Sequence, residues 1–301
     1  MAPRVTRRAH LGLAIANYGP AVSPEAMIEA AVAAERTGWD SIWVTDHIAV
    51  AADHGATYGT ITEAVATAAF LAGHTDRVQI GISALVVPQR HPLLTLKQLV
   101  SLDHLSQGRL ITAVAAGWHA EEFRSLDADF RTRGHRLDAF ITMAQTLAAP
   151  SVGPVTTTGL VTLDHQWFSP RPLAGRLRLW GAGSSARALS RAARLGTWHP
   201  VGLPLDALRS GAETVRQDNA RATVILRCSV HMAAQPDPAG RDARGRPALV
   251  GPPDWVAQQL HDYMDAGCNG FVVMLEGETP GLADAIGRFT AEVWANVVGR
   301  P

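Results

Sequence analysis

Short apolar runs rich in β-branched residues alternate with longer segments of helical period from one end of the chain to the other. That alternation is the mark of parallel βα units, not of separate helical and sheet domains. The runs Leu11–Ile15, Ser41–Thr45, Val78–Val87, Leu110–Ala115, Arg176–Trp180, Thr197–Pro200, Thr223–His231 and Gly270–Leu275 predict eight strands. Between them run predicted helices such as Pro24–Thr37, Thr62–Gly73, Pro92–Ser106, Ser184–Leu195, Leu205–Asn219, Trp255–Ala266 and Pro280–Val298. Ser23-Pro24 supplies a hydroxyl N-cap followed by proline at the first helical position. Gly108 and Gly267 stand where a helix ends in a residue of positive φ, just before a strand. Eight strands each followed by a helix predict an α/β fold, a single (β/α)8 barrel over 1–301. Two turn-rich stretches break the rhythm, Pro150–Pro172 after strand four and Gln235–Pro253 after strand seven. Both read as surface excursions, either lids or disordered insertions.

In such a barrel the chemistry lies at the C-terminal ends of the strands, so the residues that follow each strand are the candidates. Asn17 and Tyr18 follow strand one, Asp46-His47 strand two, Pro88-Gln89-Arg90-His91 strand three and Gly117-Trp118-His119 strand four. Gly181-Ala182-Gly183-Ser184-Ser185 follow strand five, with Trp198-His199, His231 and Glu276 after the last three. His47 is the strongest acid/base candidate, because imidazole titrates near neutrality and the adjacent Asp46 can fix its environment. The alternative is a structural histidine capping a loop. The glycine-rich passage from strand five into a helix suits an anion, since the backbone can approach closely and free N–H groups meet the helix dipole. The same passage also reads as a plain tight turn with Ser184 as N-cap.

Composition removes several classes. The 27 basic and 27 acidic residues cancel, which gives no general attraction to nucleic acid or to anionic lipid. No apolar stretch reaches the roughly 20 residues of a membrane span, and Met1–Arg8 lacks an apolar signal core, so a cytoplasmic protein is expected. Cys228 and Cys268 read as buried, inert thiols that cannot build a disulfide framework. Lys97, the only lysine, sits in a predicted helix interior, which argues against phosphate-loop or Schiff-base chemistry. No His-x-His pair or Gly-x-Ser-x-Gly elbow occurs, so no metal site is expected. Asp103 and Arg109 flank the turn before strand four and are expected to form a structural salt bridge.

These segments resemble a known family. Trp39-Asp40-Ser41-Ile42-Trp43-Val44-Thr45-Asp46-His47, Gln89-Arg90-His91-Pro92, Leu102 to Leu110, Ala116-Gly117-Trp118 with Glu122-Phe123, and Trp180 to Ser185 are similar to the bacterial luciferase-like flavin oxidoreductases. The likeness is greatest to the branch that uses the deazaflavin coenzyme F420. It implies a (β/α)8 fold with the cofactor across the C-terminal mouth, Asp46 against the ring, and His47 as proton donor or acceptor. It also implies a bulge with a non-proline cis peptide at Ser83-Ala84. Gly117 would line the mouth near the cofactor, and Gly181, Ala182, Gly183, Ser184 and Ser185 would hold its phosphate. Asn17, Trp118, His119, Trp198 and His199 would face the substrate. Where some deazaflavin dehydrogenases carry a glutamate directly after strand four, this chain has Gly117-Trp118-His119.

The resemblance implies hydride transfer between F420 and a small organic substrate. The alternatives are an FMN-dependent monooxygenase using dioxygen and a non-catalytic flavin-binding relative; a homodimer is compatible with each. Deazaflavin reacts poorly with dioxygen, so the identity of the cofactor separates the first two.

Overall fold

The computed structural model describes residues 9–20, 22–148, 153–276 and 281–299. The start of the chain and Pro280, where the last helix was predicted to begin, lie outside the described residues, as do the first positions of the predicted Pro150–Pro172 excursion.

The strands are β1 (His10–Ala14), β2 (Ser41–Val44), β3 (Gln79–Val86), β4 (Leu110–Ala115), β5 (Val155–Thr157), β6 (Leu163–Gln166), β7 (Leu179–Ala182), β8 (Thr197–His199), β9 (Thr223–Met232), β10 (Ala248–Gly251) and β11 (Gly270–Leu275). Eight of them pair in parallel in the order β1, β2, β3, β4, β7, β8, β9, β11, and β11 returns to β1 with Gly270 opposite His10. The ring is the predicted (β/α)8 barrel. The helices α1 (Pro24–Arg36), α2 (Gly55–Tyr58), α3 (Ala64–Ala72), α4 (Pro92–Leu105), α5 (Ala120–Ser125), α6 (Arg133–Ala148), α7 (Ala186–Leu195), α8 (Leu205–Asp218), α9 (Pro253–Asp265), α10 (Leu282–Arg288) and α11 (Ala295–Val298) lie between or after the strands.

Alternation along each strand divides the interior in two. Outward positions such as Leu11, Leu13, Ile42, Val44, Ile80, Val224 and Leu226 join the helices in the main core. Inward positions Ala14, Trp43, Ile111, Ala113, Ile225, Val272 and Met274 fill the barrel. Trp43 occupies its centre because the neighbouring strands carry no side chain there. A Cβ at Gly81, its register partner on β3, would lie 2.1 Å from the indole, and one at Gly12 on β1 would lie 2.7 Å from it.

Most punctuation acts as expected. Ser23 Oγ accepts from Ala26 N at 3.1 Å, and Gly108 and Gly267 have φ of 79° and 105°. The β3 register shifts between Ile82 and Leu85, and the Ser83-Ala84 peptide in that bulge is cis.

Several local expectations are corrected. The fifth barrel strand begins at Leu179 and continues through Gly181-Ala182, because Thr112–Val114 pair with it as far as Gly181 and His199 pairs with Ala182. The described part of the excursion after β4 holds the antiparallel β5–β6 hairpin. The excursion after β9 is not a free lid: β10 adds in parallel to the end of β9, where β8 has stopped, and Asp242, Ala248 and Leu249 are buried. Asp103 and Arg109 do not pair. The Arg109 guanidinium instead meets the carbonyls of Ala72, Val78 and Ser106 and the hydroxyl of Thr75, while Asp103 accepts from Leu173 N. No helix among the described residues is long and apolar enough to cross a membrane. Both cysteines are buried, and burial raises their thiols, that of Cys268 to about 11.

Candidate active site

A cavity of about 510 Å³ opens at the C-terminal ends of the strands. That volume lies within the roughly 300–1,000 Å³ typical of small-molecule sites. Its wall is built strand by strand: Thr45, Asp46 and His47 after β2, Ser83 and Ala84 in the β3 bulge, Gly117 and Trp118 after β4, and Ala182 to Ser185 after β7. Arg227 of β9 with Arg244 and Arg246 of the following excursion complete it.

His47 is buried, and its Nδ1 lies 3.1 Å from Glu122 Oε2. The other carboxylate oxygen of Glu122 accepts from Ile48 N at 2.5 Å and from Ala49 N at 3.1 Å. Burial raises the Glu122 carboxyl, but these bonds outweigh it and hold the group below its ordinary value. With Nδ1 turned to Glu122, Nε2 is the nitrogen left to exchange a proton in the cavity. Tyr58 and Trp118 flank the imidazole at centroid distances of 4.7 and 5.7 Å. Glu122 sits in the first turn of α5, whose N-cap is His119: the His119 ring accepts from Glu122 N at 3.2 Å.

Asp46 turns the other way. Its carboxylate accepts from Val86 N at 2.8 Å and pairs with Arg90 at 2.5 Å, and Arg90 also meets Glu63 at 2.9 Å. Burial lowers Arg90, yet Asp46 and Glu63 outweigh it and hold the guanidinium above its ordinary value. Burial in turn pushes Asp46 up against the attraction of Arg90. The arrangement ties the end of β2 to the segment after β3.

After β7 the backbone turns at Gly183, with φ of 101°, and Ser185 caps α7 by accepting from Ala188 N at 3.3 Å. A Cβ at Gly183 would lie 3.2 Å from Ala188. Ser184 is therefore not the cap, and its hydroxyl is exposed on the turn. Arg191 of α7 reaches the same wall while paired with Asp138 at 2.9 Å, and Arg133 lies over Phe130 at 3.7 Å.

The comparison with protein families agrees with this geometry. Residues 9–246 match the model of the luciferase-like monooxygenases. The chain belongs to that family. The alkanal monooxygenase alpha chain of Photorhabdus luminescens is 30% identical over 95 residues, which are 32% of this chain and 25% of that one. The limonene 1,2-monooxygenase of Rhodococcus erythropolis is 28% identical over 136 residues, 45% of this chain and 31% of that enzyme. The chain thus spans about a quarter to a third of the length of these curated relatives. Among solved structures, an F420-dependent secondary alcohol dehydrogenase has a TM-score of 0.76 at 17% identity, covering 97% of this chain and 99% of that one. A monooxygenase from Streptomyces bottropensis has a TM-score of 0.78 at 19% identity, covering 95% and 98%. At those identities the likeness is one of fold. An F420-dependent dehydrogenase and an FMN-bound monooxygenase both share that fold.

Within this luciferase-like frame several residues expected at the mouth take other places. Gly181 lies in β7, and a Cβ there would strike the backbone of Ala192 at 2.6 Å, so its bareness lets α7 pack on the strand. Asn17 is wholly buried and staples β1 to β2 by exchanging bonds with the backbone of Thr45. Trp198 is buried in the outer core, from which its indole N–H donates to the Gly183 carbonyl at 2.8 Å. His199 points inward below the cavity, stacked on Trp43, with Nδ1 2.7 Å from Ile225 O and Nε2 2.7 Å from Ser83 Oγ. Burial lowers it to about 3, so it is neutral. His119 is the α5 cap, and His231 is exposed at the end of β9. Trp118, 51% exposed, lines the cavity.

Sequence reasoning missed three features. Glu122, not Asp46, is the partner of His47; Glu122-Phe123 stood among the segments that resemble the family, but nothing in the sequence gave it that role. Arg227 could not be singled out in an arginine-rich chain, and Arg90, although named after strand three, carried no sign of its pairing with Asp46. Among the described residues no group of three or more His, Cys, Asp or Glu side chains is placed to hold a metal ion.

Proposed function

We propose that this protein is a flavin-dependent monooxygenase whose cofactor is FMN. The observation that carries the reading is the match of residues 9–246 to the luciferase-like monooxygenases, joined to a buried His47–Glu122 pair facing the cavity. Bound FMN, once reduced, supplies the electrons with which dioxygen is split, one oxygen atom entering the substrate and the other leaving as water.

The residues present fit such a group. The Gly183 turn with Ser184 and Ser185 offers backbone and hydroxyl donors at a helix start, and Arg133 and Arg191 bring positive charge to the same wall, which suits a phosphate. Ser83 and Ala84 with Asp46 form the surface against which a planar ring would lie. His47 would hold or deliver a proton through Nε2, with Glu122 keeping its tautomer and orientation. Trp118 and Tyr58 would exclude water from that nitrogen.

One observation favours hydride transfer with F420 as a second reading. A basic hollow of about 290 Å³ formed by His135, Arg187, Ser190, Arg191 and Arg194 around Asp138 adjoins the phosphate turn through Arg191, and would suit a longer anionic tail. Incubating purified protein with FMN and with F420, followed by absorbance spectra and mass measurement of the retained cofactor, tests both readings. Retention of FMN alone supports the first and of F420 alone the second; retention of neither overturns both.

A further inference from the structure

The cavity is lined by five arginines, Arg133, Arg191, Arg227, Arg244 and Arg246, against a single carboxylate, Asp46, which Arg90 already neutralises. The five fall into two sets. Arg133 and Arg191 flank the β7 turn. Arg227, Arg244 and Arg246 come from β9 and the excursion after it.

In the second set only Arg244 is met by carboxylates. Arg244 is held by Asp242 at 3.0 Å and Glu276 at 3.3 Å, and donates to the Tyr18 hydroxyl at 2.6 Å. Arg227 is 5% exposed, and its bonds are to neutral acceptors, the Ser83 carbonyl at 2.5 Å and Thr45 Oγ1 at 2.8 Å. Burial lowers it to about 10 despite Tyr18, and the repulsion of Arg244 and Arg246 adds to the effect. Arg246 packs its stem over Gly202 and has no carboxylate partner among the described residues. A buried guanidinium is costly unless an opposite charge meets it, and its planar fork matches a carboxylate or phosphate. A phosphate on the β7 turn engages the first set and leaves Arg227 and Arg246 without a carboxylate partner among the described residues.

We infer that Arg227, Arg244 and Arg246 form an anion subsite for the substrate, which is a small organic acid bearing a carboxylate or phosphate. The inference rests on the reading of the β7 turn as the cofactor's phosphate site. Arg227 is bonded to Thr45, two residues before His47, so an anion held there sets the rest of the molecule beside the imidazole. The half-exposed Trp118, which lines the same cavity, supplies apolar surface for its body.

The test titrates FMN-loaded protein with benzoate, phenyl phosphate and the neutral benzamide, read by perturbation of the flavin spectrum. At least one anion is expected to saturate the protein about tenfold more tightly than benzamide, and whichever binds better identifies the group. Arg246→Gln is expected to weaken that anion about tenfold while the Kd for FMN stays within about twofold and the Tm is retained. Equal binding of benzamide overturns the inference. So does an anion that displaces FMN, or an Arg246→Gln variant that loses FMN affinity, since the arginines then serve the cofactor. Should FMN fail to bind at all, the same titration on the free protein, read by tryptophan fluorescence, still decides: an Arg246-dependent preference for anions upholds the subsite although the flavin reading has failed, and its absence overturns both.

Discussion

The imidazole of His47 and the carboxylate of Glu122, 75 positions apart in the chain, meet at 3.1 Å beneath the mouth of the barrel. General acid/base groups contribute roughly 10²–10⁴-fold to turnover. His47→Ala is therefore expected to lower turnover by about that factor while FMN affinity changes little, because the proposed phosphate anchor lies on the turn after β7. Steady-state rates with a cofactor titration check this. Near-normal turnover with normal FMN binding would assign the proton to solvent or another group.

Glu122 also fastens Ile48 and Ala49, and its carboxyl is held below the ordinary value of 4.5. A depressed carboxyl contributes stability that is present above the unfolded value and lost as pH falls through the folded one. The loop after β2 is expected to loosen only below about pH 4.5, with a gentler loss in Glu122→Gln. Hydrogen exchange of residues 47–49 against pH measures it; identical acid profiles for the two proteins would show that Glu122 carries no such linkage.

His199 acts over a different window. The unfolded chain takes up its proton below about 6.5, the folded chain only near 3. Its contribution is complete above pH 6.5 and declines by about 1.4 kcal/mol per pH unit on acidification. Urea midpoints between pH 7 and pH 5 should fall less steeply in His199→Asn than in the wild type, whatever the variant's stability at pH 7. Parallel slopes would contradict a neutral, buried His199.

The β7 turn yields a graded pair of variants. Gly183→Val puts a β-branched side chain at a φ of 101° and against Ala188, so FMN affinity should collapse with the fold retained. Trp198→Phe keeps the aromatic ring but removes the donor to the Gly183 carbonyl. A lost bond of this kind costs about 1–3 kcal/mol, which corresponds to a weakening of FMN by roughly 5- to 150-fold if it falls on the turn. Unchanged FMN titrations in both would move the phosphate elsewhere.

Much of the barrel was legible in the chain. Period-two and period-3.6 patterning, with Ser23-Pro24 and the glycines at 108 and 267, is local information, and local sterics and burial decide where a strand or helix begins and ends. The candidates at strand ends followed from the same count, and Asp46, His47, Gly117, Trp118 and Gly183 to Ser185 line one cavity together with Ser83 and Ala84, to which only the family resemblance pointed.

Tertiary structure decided which way each side chain points and what it meets. One residue of register sends Trp198 outward into the helical layer and the next, His199, inward beneath Ser83, and no spacing rule names their partners. Asp46 stands next to His47 in sequence yet reaches Arg90, while Glu122 arrives from another βα unit to hold the imidazole. Arg109 bonds to carbonyls of three turns instead of to the aspartate beside it. Pattern is a property of neighbours along the chain, whereas pairing of buried charge depends on positions the closed barrel brings together, so His47's partner and the arginine wall emerged only from the fold.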